Sequence, residues 1–201
     1  MISKNNDNKG LADLLYCFGS LGHKTGVLFK ELADKSTVHE IRDNLMKLSI
    51  ENEENSNELF QLSNSFGGSK LKEKNCKQRL RSVCELTASS LEYTHSKSEL
   101  SAKELLDILT SLESTGGAMH YLYNQAETFL YMSPDISKQF GVELEKIDSH
   151  LDLANKVEEH ITLIEEIKAV LSEKLEQIDK ANDPVFKYQR PDAWFHPLAS
   201  E

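Results

Sequence analysis

The sequence predicts an all-α fold: an antiparallel four-helix bundle with a long crossover between helices two and three and an extended C-terminal tail. Three observations carry this expectation. The four prolines stand at 134, 184, 191 and 197, so residues 1–133 can run as long helices without a breaker. Aromatic residues make up only 7% of the chain, a low share for a turn-rich β fold. Apolar residues also recur at alternating spacings of three and four along four separate stretches.

The elements follow in order. Residues 1–9 are polar and read as a disordered N-terminus, with the bundle spanning 10–181. The first seam runs Leu11, Leu14, Phe18, Leu21, Thr25, Leu28 and Leu32, and closes near Asp34-Lys35-Ser36. Ser36 or Thr37 is placed to cap the second helix, with Glu40 completing a capping box on Thr37. Its seam reads Ile41, Leu45, Leu48, Asn52, Asn55, Leu59, Leu62 and Phe66, and Gly67-Gly68 ends it. The short connection makes these two helices antiparallel neighbours.

Residues 67–99 are the crossover. They are basic (Lys70, Lys72, Lys74, Lys77, Arg79, Arg81) and hold a short helix around 75–92 with Leu80, Val83, Cys84 and Leu86 on its apolar side. Ser101 with Glu104 opens the third helix, whose seam is Leu105, Leu109, Leu112, Gly116, Met119, Tyr123, Ala126 and Leu130. Ser133-Pro134-Asp135 breaks it and starts the next element, which Gly141 can interrupt. The fourth helix then runs to about Ala181, with Ile147, Ala154, Val157, Ile161, Ile164, Leu171, Leu175 and Ile178 inward. Asn182-Asp183-Pro184 stops it. The tail, 182–201, carries the single Trp without periodicity and is expected to dock on the bundle or on a protein partner.

Composition excludes several functions. With 23 Lys and Arg against 33 Asp and Glu, the formal charge is −10, and such a surface repels phosphate backbones. Nucleic acid is therefore not expected as a partner. No apolar run approaches the roughly 20 residues needed to span a bilayer, and the polar start is unlike a signal peptide, so no membrane partner and a cytoplasmic setting are expected. Cys17, Cys76 and Cys84 lack a CxxC spacing and read as free, small buried hydrophobes. SFGGSK is not a phosphate loop, and no nucleophile signature stands in the chain.

Helix pair, crossover, helix pair is a ferritin-like order of elements. A weaker internal repeat supports it, since 26–62 and 117–167 share a pattern of Gly, aromatic, Ala, break and Leu-rich helix. FKELADKSTVHEIRDNLMKLSIENEENSNELFQL is similar to the rubrerythrin and ferritin-like family's end of helix one, turn and helix two. LDLANKVEEHITLIEEI resembles the family's last-helix pattern, in which Glu-x-x-His places two ligands on one face. The resemblance covers about 10–65 and 100–170. It implies a diiron centre held by one Glu from each of two helices and a Glu-x-x-His from each of the other two.

This chain departs from that pattern at the ligand positions. Asn52 and Asn55 stand where the second helix would carry its pair, and Val157 replaces the glutamate ahead of His160. Leu14 to Lys30 contains no Asp or Glu, and neither does the run between Ser114 and Gln125. The expectation is a degenerate diiron site and no metal cofactor. Thr25, Asn52, Asn55 and His160 form a polar core layer in one reading, which fixes helix register. In the other they surround a small ligand or a non-iron metal held by His160 with His23 or His120. Glu113, Glu158 and Glu159 are the carboxylates that could swing inward, and His95 or His196 could hold a metal between subunits. The function expected is that of a non-catalytic binding or assembly protein, a homodimer. The alternative is an iron- or manganese-dependent oxidase or peroxidase whose site is rearranged around His23, Glu113, Glu159 and His160.

Overall fold

The computed structural model describes residues 4–71, 73–132 and 144–182. Six α-helices are found there: α1 (Lys4–Lys35), α2 (Arg42–Ser65), α3 (Glu73–Arg79), α4 (Arg81–His95), α5 (Ala102–Met132) and α6 (Leu144–Asn182). A single 3-10 turn, His39–Ile41, leads into α2. No strand occurs among the described residues, and the protein is all-α. The expected break at Ser133-Pro134-Asp135, Gly141 and the tail beyond Asn182 lie outside the described residues, as do the side chains of Leu11, Ala126, Leu130, Ile147 and Ala154.

The α1–α2 hairpin is built on small residues. Ala12, Gly19, Gly26 and Ala33 recur at every seventh position of α1, and Ser49, Ser56 and Ser63 do so on α2. The serines are buried, and two of them donate across the interface: Ser49 Oγ to the Gly26 carbonyl at 2.8 Å and Ser63 Oγ to the Ala12 carbonyl at 2.7 Å. Helices approach closely only where side chains are small. A Cβ on Gly26 would lie 3.1 Å from the Ser49 carbonyl oxygen, and one on Gly22 would lie 2.7 Å from Ser56 Oγ. α2 ends in a paired glycine stop. Gly67 takes φ +77°, its N–H reaches the Asn64 carbonyl at 3.0 Å, and the Gly68 N–H reaches the Ser63 carbonyl at 2.9 Å.

The crossover comprises two helices rather than the one expected over 75–92, with the break at Leu80. α4 lies against both α1 and α5. Its buried face is Val83, Thr87, Ser90 and Thr94, with the two threonine hydroxyls returned to carbonyls of their own helix. Leu86, expected on that face, is exposed. Arg79 meets Asp13 at 2.9 Å and ties α3 to α1. At the other end the crossover closes against the α1–α2 turn. The Leu100 N–H donates to the Lys35 carbonyl at 2.8 Å, and the Thr37 N–H donates to the Leu100 carbonyl at 3.2 Å.

That closure explains why the capping box expected at Thr37 does not form. The Thr37 hydroxyl is spent on the Leu100 carbonyl at 3.0 Å, Ser36 Oγ bonds the Val38 backbone, and Glu40 reaches Lys174 of α6 at 2.5 Å. The box at Ser101 does form, with Glu104 accepting from both the Ser101 N–H and its hydroxyl. Two other expectations shift. α1 begins at Lys4 and so takes in residues read as disordered, and Ile178 is exposed near the end of α6.

α5 and α6 pair antiparallel, and α6 also runs antiparallel along α2, where Glu58 meets Lys156 at 3.3 Å. The core divides in two. The larger cluster holds Leu28, Phe29, Leu32, Leu45, Leu48, Leu105, Leu109, Leu112, Ile164, Ile167 and Leu171. The second holds Leu15, Cys17, Phe18, Leu21, Leu59, Cys76, Leu80, Val83 and Met119.

Candidate functional site

The level between the two clusters can be read along each helix. On α1 it falls between Leu21 and Leu28, on α2 between Leu48 and Leu59, on α5 between Leu112 and Met119, and on α6 just before Ile164. The residues there are Thr25, Asn52, Thr115 and His160. All four line one cavity of about 70 Å³, with Gly22, Gly116, Phe29, Tyr123 and Ile161 among its other walls. The glycines help to make that room, since a Cβ at Gly116 would lie 3.0 Å from Ile161 Cγ1.

The polar groups at this level are tied to one another. The Asn52 amide nitrogen donates to the Leu48 carbonyl at 2.8 Å and lies 3.4 Å from His160 Nδ1. On its other side His160 Nε2 lies 3.1 Å from the Glu51 carboxylate. These contacts assign the ring proton to Nε2, with Nδ1 the acceptor. Thr25 Oγ1 donates to the Leu21 carbonyl at 3.0 Å and Thr115 Oγ1 to the Ser111 carbonyl at 3.1 Å. His160 is buried, and burial pushes its pKa below the ordinary histidine value against the opposing pull of Glu51. The ring is therefore neutral at pH 7.

The other residues singled out in the sequence lie elsewhere. His23 pairs with Glu53 at 2.7 Å in the exposed groove between α1 and α2. Glu113 is engaged by Lys168 between α5 and α6, and Glu158 and Glu159 are exposed. Asn55 is half-buried and does not line the cavity. His120 stands beside Asn124 one turn along α5, and His95 pairs with Glu31. His196 lies outside the described residues. Thr115 and Glu51 are the participants that sequence reasoning missed. Thr115 lies one residue before Gly116 on the third seam, and Glu51 immediately precedes Asn52. Their places on adjacent faces were the signal available.

The donor set does not fit the diiron centre that the resemblance implies. Two irons need bridging carboxylates at the level of His160. The side chains lining the cavity include one imidazole and no carboxylate, and the ring's Nε2 is held by Glu51. Among the described residues no group of three or more His, Cys, Asp or Glu side chains is placed to hold a metal ion.

A separate convergence lies in the second core cluster. Cys17 of α1 and Cys76 of α3 are buried within it, and Cys84 of α4 packs against it. Burial and the neighbouring Cys76 thiol push the Cys17 thiol well above the ordinary range. A thiol held protonated in this way is a poor nucleophile. Tyr123, whose ring packs edge-on against Phe18, is also pushed up by burial. No described helix is long and apolar enough to cross a membrane. Comparison of the chain with family models, with curated proteins and with solved structures finds no match.

Proposed function

We propose that this chain is a binding bundle of ferritin-like derivation, in which a neutral polar layer occupies the level that carries the diiron ligands in that family. One observation supports the reading above the others. The polar groups where the two core clusters meet are Thr25, Asn52, Thr115 and His160, and they surround a cavity instead of a metal cage. The order of elements is consistent with the derivation, since two helix hairpins are joined by a crossover that returns along the bundle. The rival oxidase reading needs Glu113 and Glu159 to reach one cavity with His160. Glu113 is committed to Lys168 and Glu159 is exposed, which favours the binding reading.

Metal content tests this. Untagged protein is purified aerobically from cells supplied with iron and manganese, and assayed by plasma mass spectrometry. The reading expects less than about a tenth of an equivalent of any transition metal. About one to two equivalents, lost in His160→Ala, would replace it with a metalloprotein.

A further inference from the structure

The cavity has a definite hydrogen-bonding character. Both hydrogens of the Asn52 amide are directed to partners, one to the Leu48 carbonyl and one toward His160 Nδ1. The His160 Nε2 proton goes to Glu51, and the Thr25 and Thr115 hydroxyl protons go to carbonyls of their own helices. Asn52 Oδ1 and the lone pairs of both threonine oxygens therefore remain as acceptors. Tyr123 also lines the cavity. Every remaining side chain at the wall is apolar or a glycine.

Size and charge narrow the ligand further. The cavity measures about 70 Å³, a little under half of an apolar cavity that admits benzene, which is about 150 Å³. By roughly that proportion about three heavy atoms fit, and a compact molecule of about four is the upper limit. An anion would meet acceptors and a neutral imidazole, with no cation to pair it. An ammonium ion would have no carboxylate at the wall. No side chain at the wall pairs a charge, and taking an unpaired charge out of water is costly, so the site favours a neutral occupant. A molecule lacking O–H or N–H would leave the acceptors unmet, which also costs.

We propose that the cavity is a binding site for a small neutral molecule with an O–H or N–H group at one end and an apolar body, a short-chain alcohol or primary amide in its simplest form. This inference rests on the binding reading above and names the ligand class for it. The amide or alcohol group lies among Asn52, Thr25, Thr115 and Tyr123, and the apolar end lies against Phe29 and Ile161. Four heavy atoms at no more than about 1.5 kcal/mol each place the dissociation constant no tighter than about 40 µM.

The test is titration of the full chain followed by backbone amide NMR, using matched probes. 2-Propanol is compared with acetone, which has the same heavy atoms and no donor. Acetamide is compared with acetate, which has the same shape and a charge. The expected result is saturable shifts at Gly22, Asn52 and Gly116 with 2-propanol and acetamide. Acetone should bind at least about five-fold more weakly, and acetate should give no saturable shift at these amides. Thr115→Val, which keeps the shape and removes an acceptor, should weaken 2-propanol and leave acetone unchanged.

Equal binding of 2-propanol and acetone would overturn the hydrogen-bonding assignment. Linear, non-saturating shifts with every probe would overturn the site itself. Neither result depends on metal content, so a metal-free protein that ignores all four probes sinks this inference and leaves the bundle reading standing. A metal-loaded protein sinks both.

Discussion

Gly26→Ala, set against Gly117→Ala, separates helix propensity from helix contact. Both glycines lie inside long helices, so both alanines bring the same gain of about 1 kcal/mol from backbone preference. A Cβ on Gly117 meets nothing within 4 Å, so that variant should keep the whole gain. A Cβ on Gly26 meets the Ser49 carbonyl oxygen at 3.1 Å, Asn52 Cβ at 3.4 Å and the Glu53 nitrogen at 3.5 Å. Two of these are backbone atoms, which a rotamer change cannot move, so α2 itself must retreat. Overpacking of this kind costs about 1–3 kcal/mol. Retreat also stretches the 2.8 Å bond from Ser49 Oγ to the Gly26 carbonyl, worth about 1 kcal/mol. The balance is a loss of about 1–3 kcal/mol for Gly26→Ala, some 2–4 kcal/mol below Gly117→Ala. Urea denaturation followed by far-ultraviolet circular dichroism measures the difference. Equal stabilisation by the two alanines, at equal denaturant slopes, would refute the claim that small residues set the α1–α2 distance.

Other expectations follow from single groups. The unfolded chain protonates His160 near 6.5 and the folded chain only at lower pH, so the unfolded state holds more protons between those values. Stability should therefore fall as the solution is acidified below about 6.5, and His160→Gln should flatten the profile below that pH; an unchanged slope would contradict the buried neutral ring. Gly67→Ala should cost about 1 kcal/mol, because φ +77° is strained for a residue with a Cβ, and a neutral effect on the urea midpoint would rule out the paired glycine stop. In native protein a water-soluble disulfide reagent should label half-buried Cys84 well before buried Cys17 and Cys76; equal rates for all three would contradict their packing.

What the sequence disclosed depended on how loudly each residue type speaks. Leucine seams announced α1, α2 and α5, because large apolar side chains every third or fourth residue have one physical explanation. The second face of the α1–α2 pair was silent for the opposite reason. Glycine and serine read as polar or loop-forming, yet at every seventh position they make a buried interface. Thr25, Asn52 and His160 were legible as a layer because each interrupts an apolar seam. Asn55 interrupts the same seam but lies off the cavity, since the turn beyond Asn52 rotates it away while Ser56 meets Gly22. The approach of Cys17 to Cys76 and Cys84 depends on how the crossover folds back, which spacing along the chain does not encode. The capping role assigned to Thr37 failed because Leu100, sixty-three residues away, competes for its hydroxyl.

The central proposal is that a neutral, hydrogen-bonded layer around His160, and not a metal cage, lies where the two core clusters meet. Long-range ¹H–¹⁵N NMR of the His160 ring measures this most directly, at neutral pH, before and after an excess of Zn²⁺ is added as a diamagnetic probe. The account predicts a neutral ring protonated at Nε2, with both nitrogen shifts unmoved by zinc. A cationic ring, or a nitrogen shift that follows zinc to a stoichiometric end point, would contradict it.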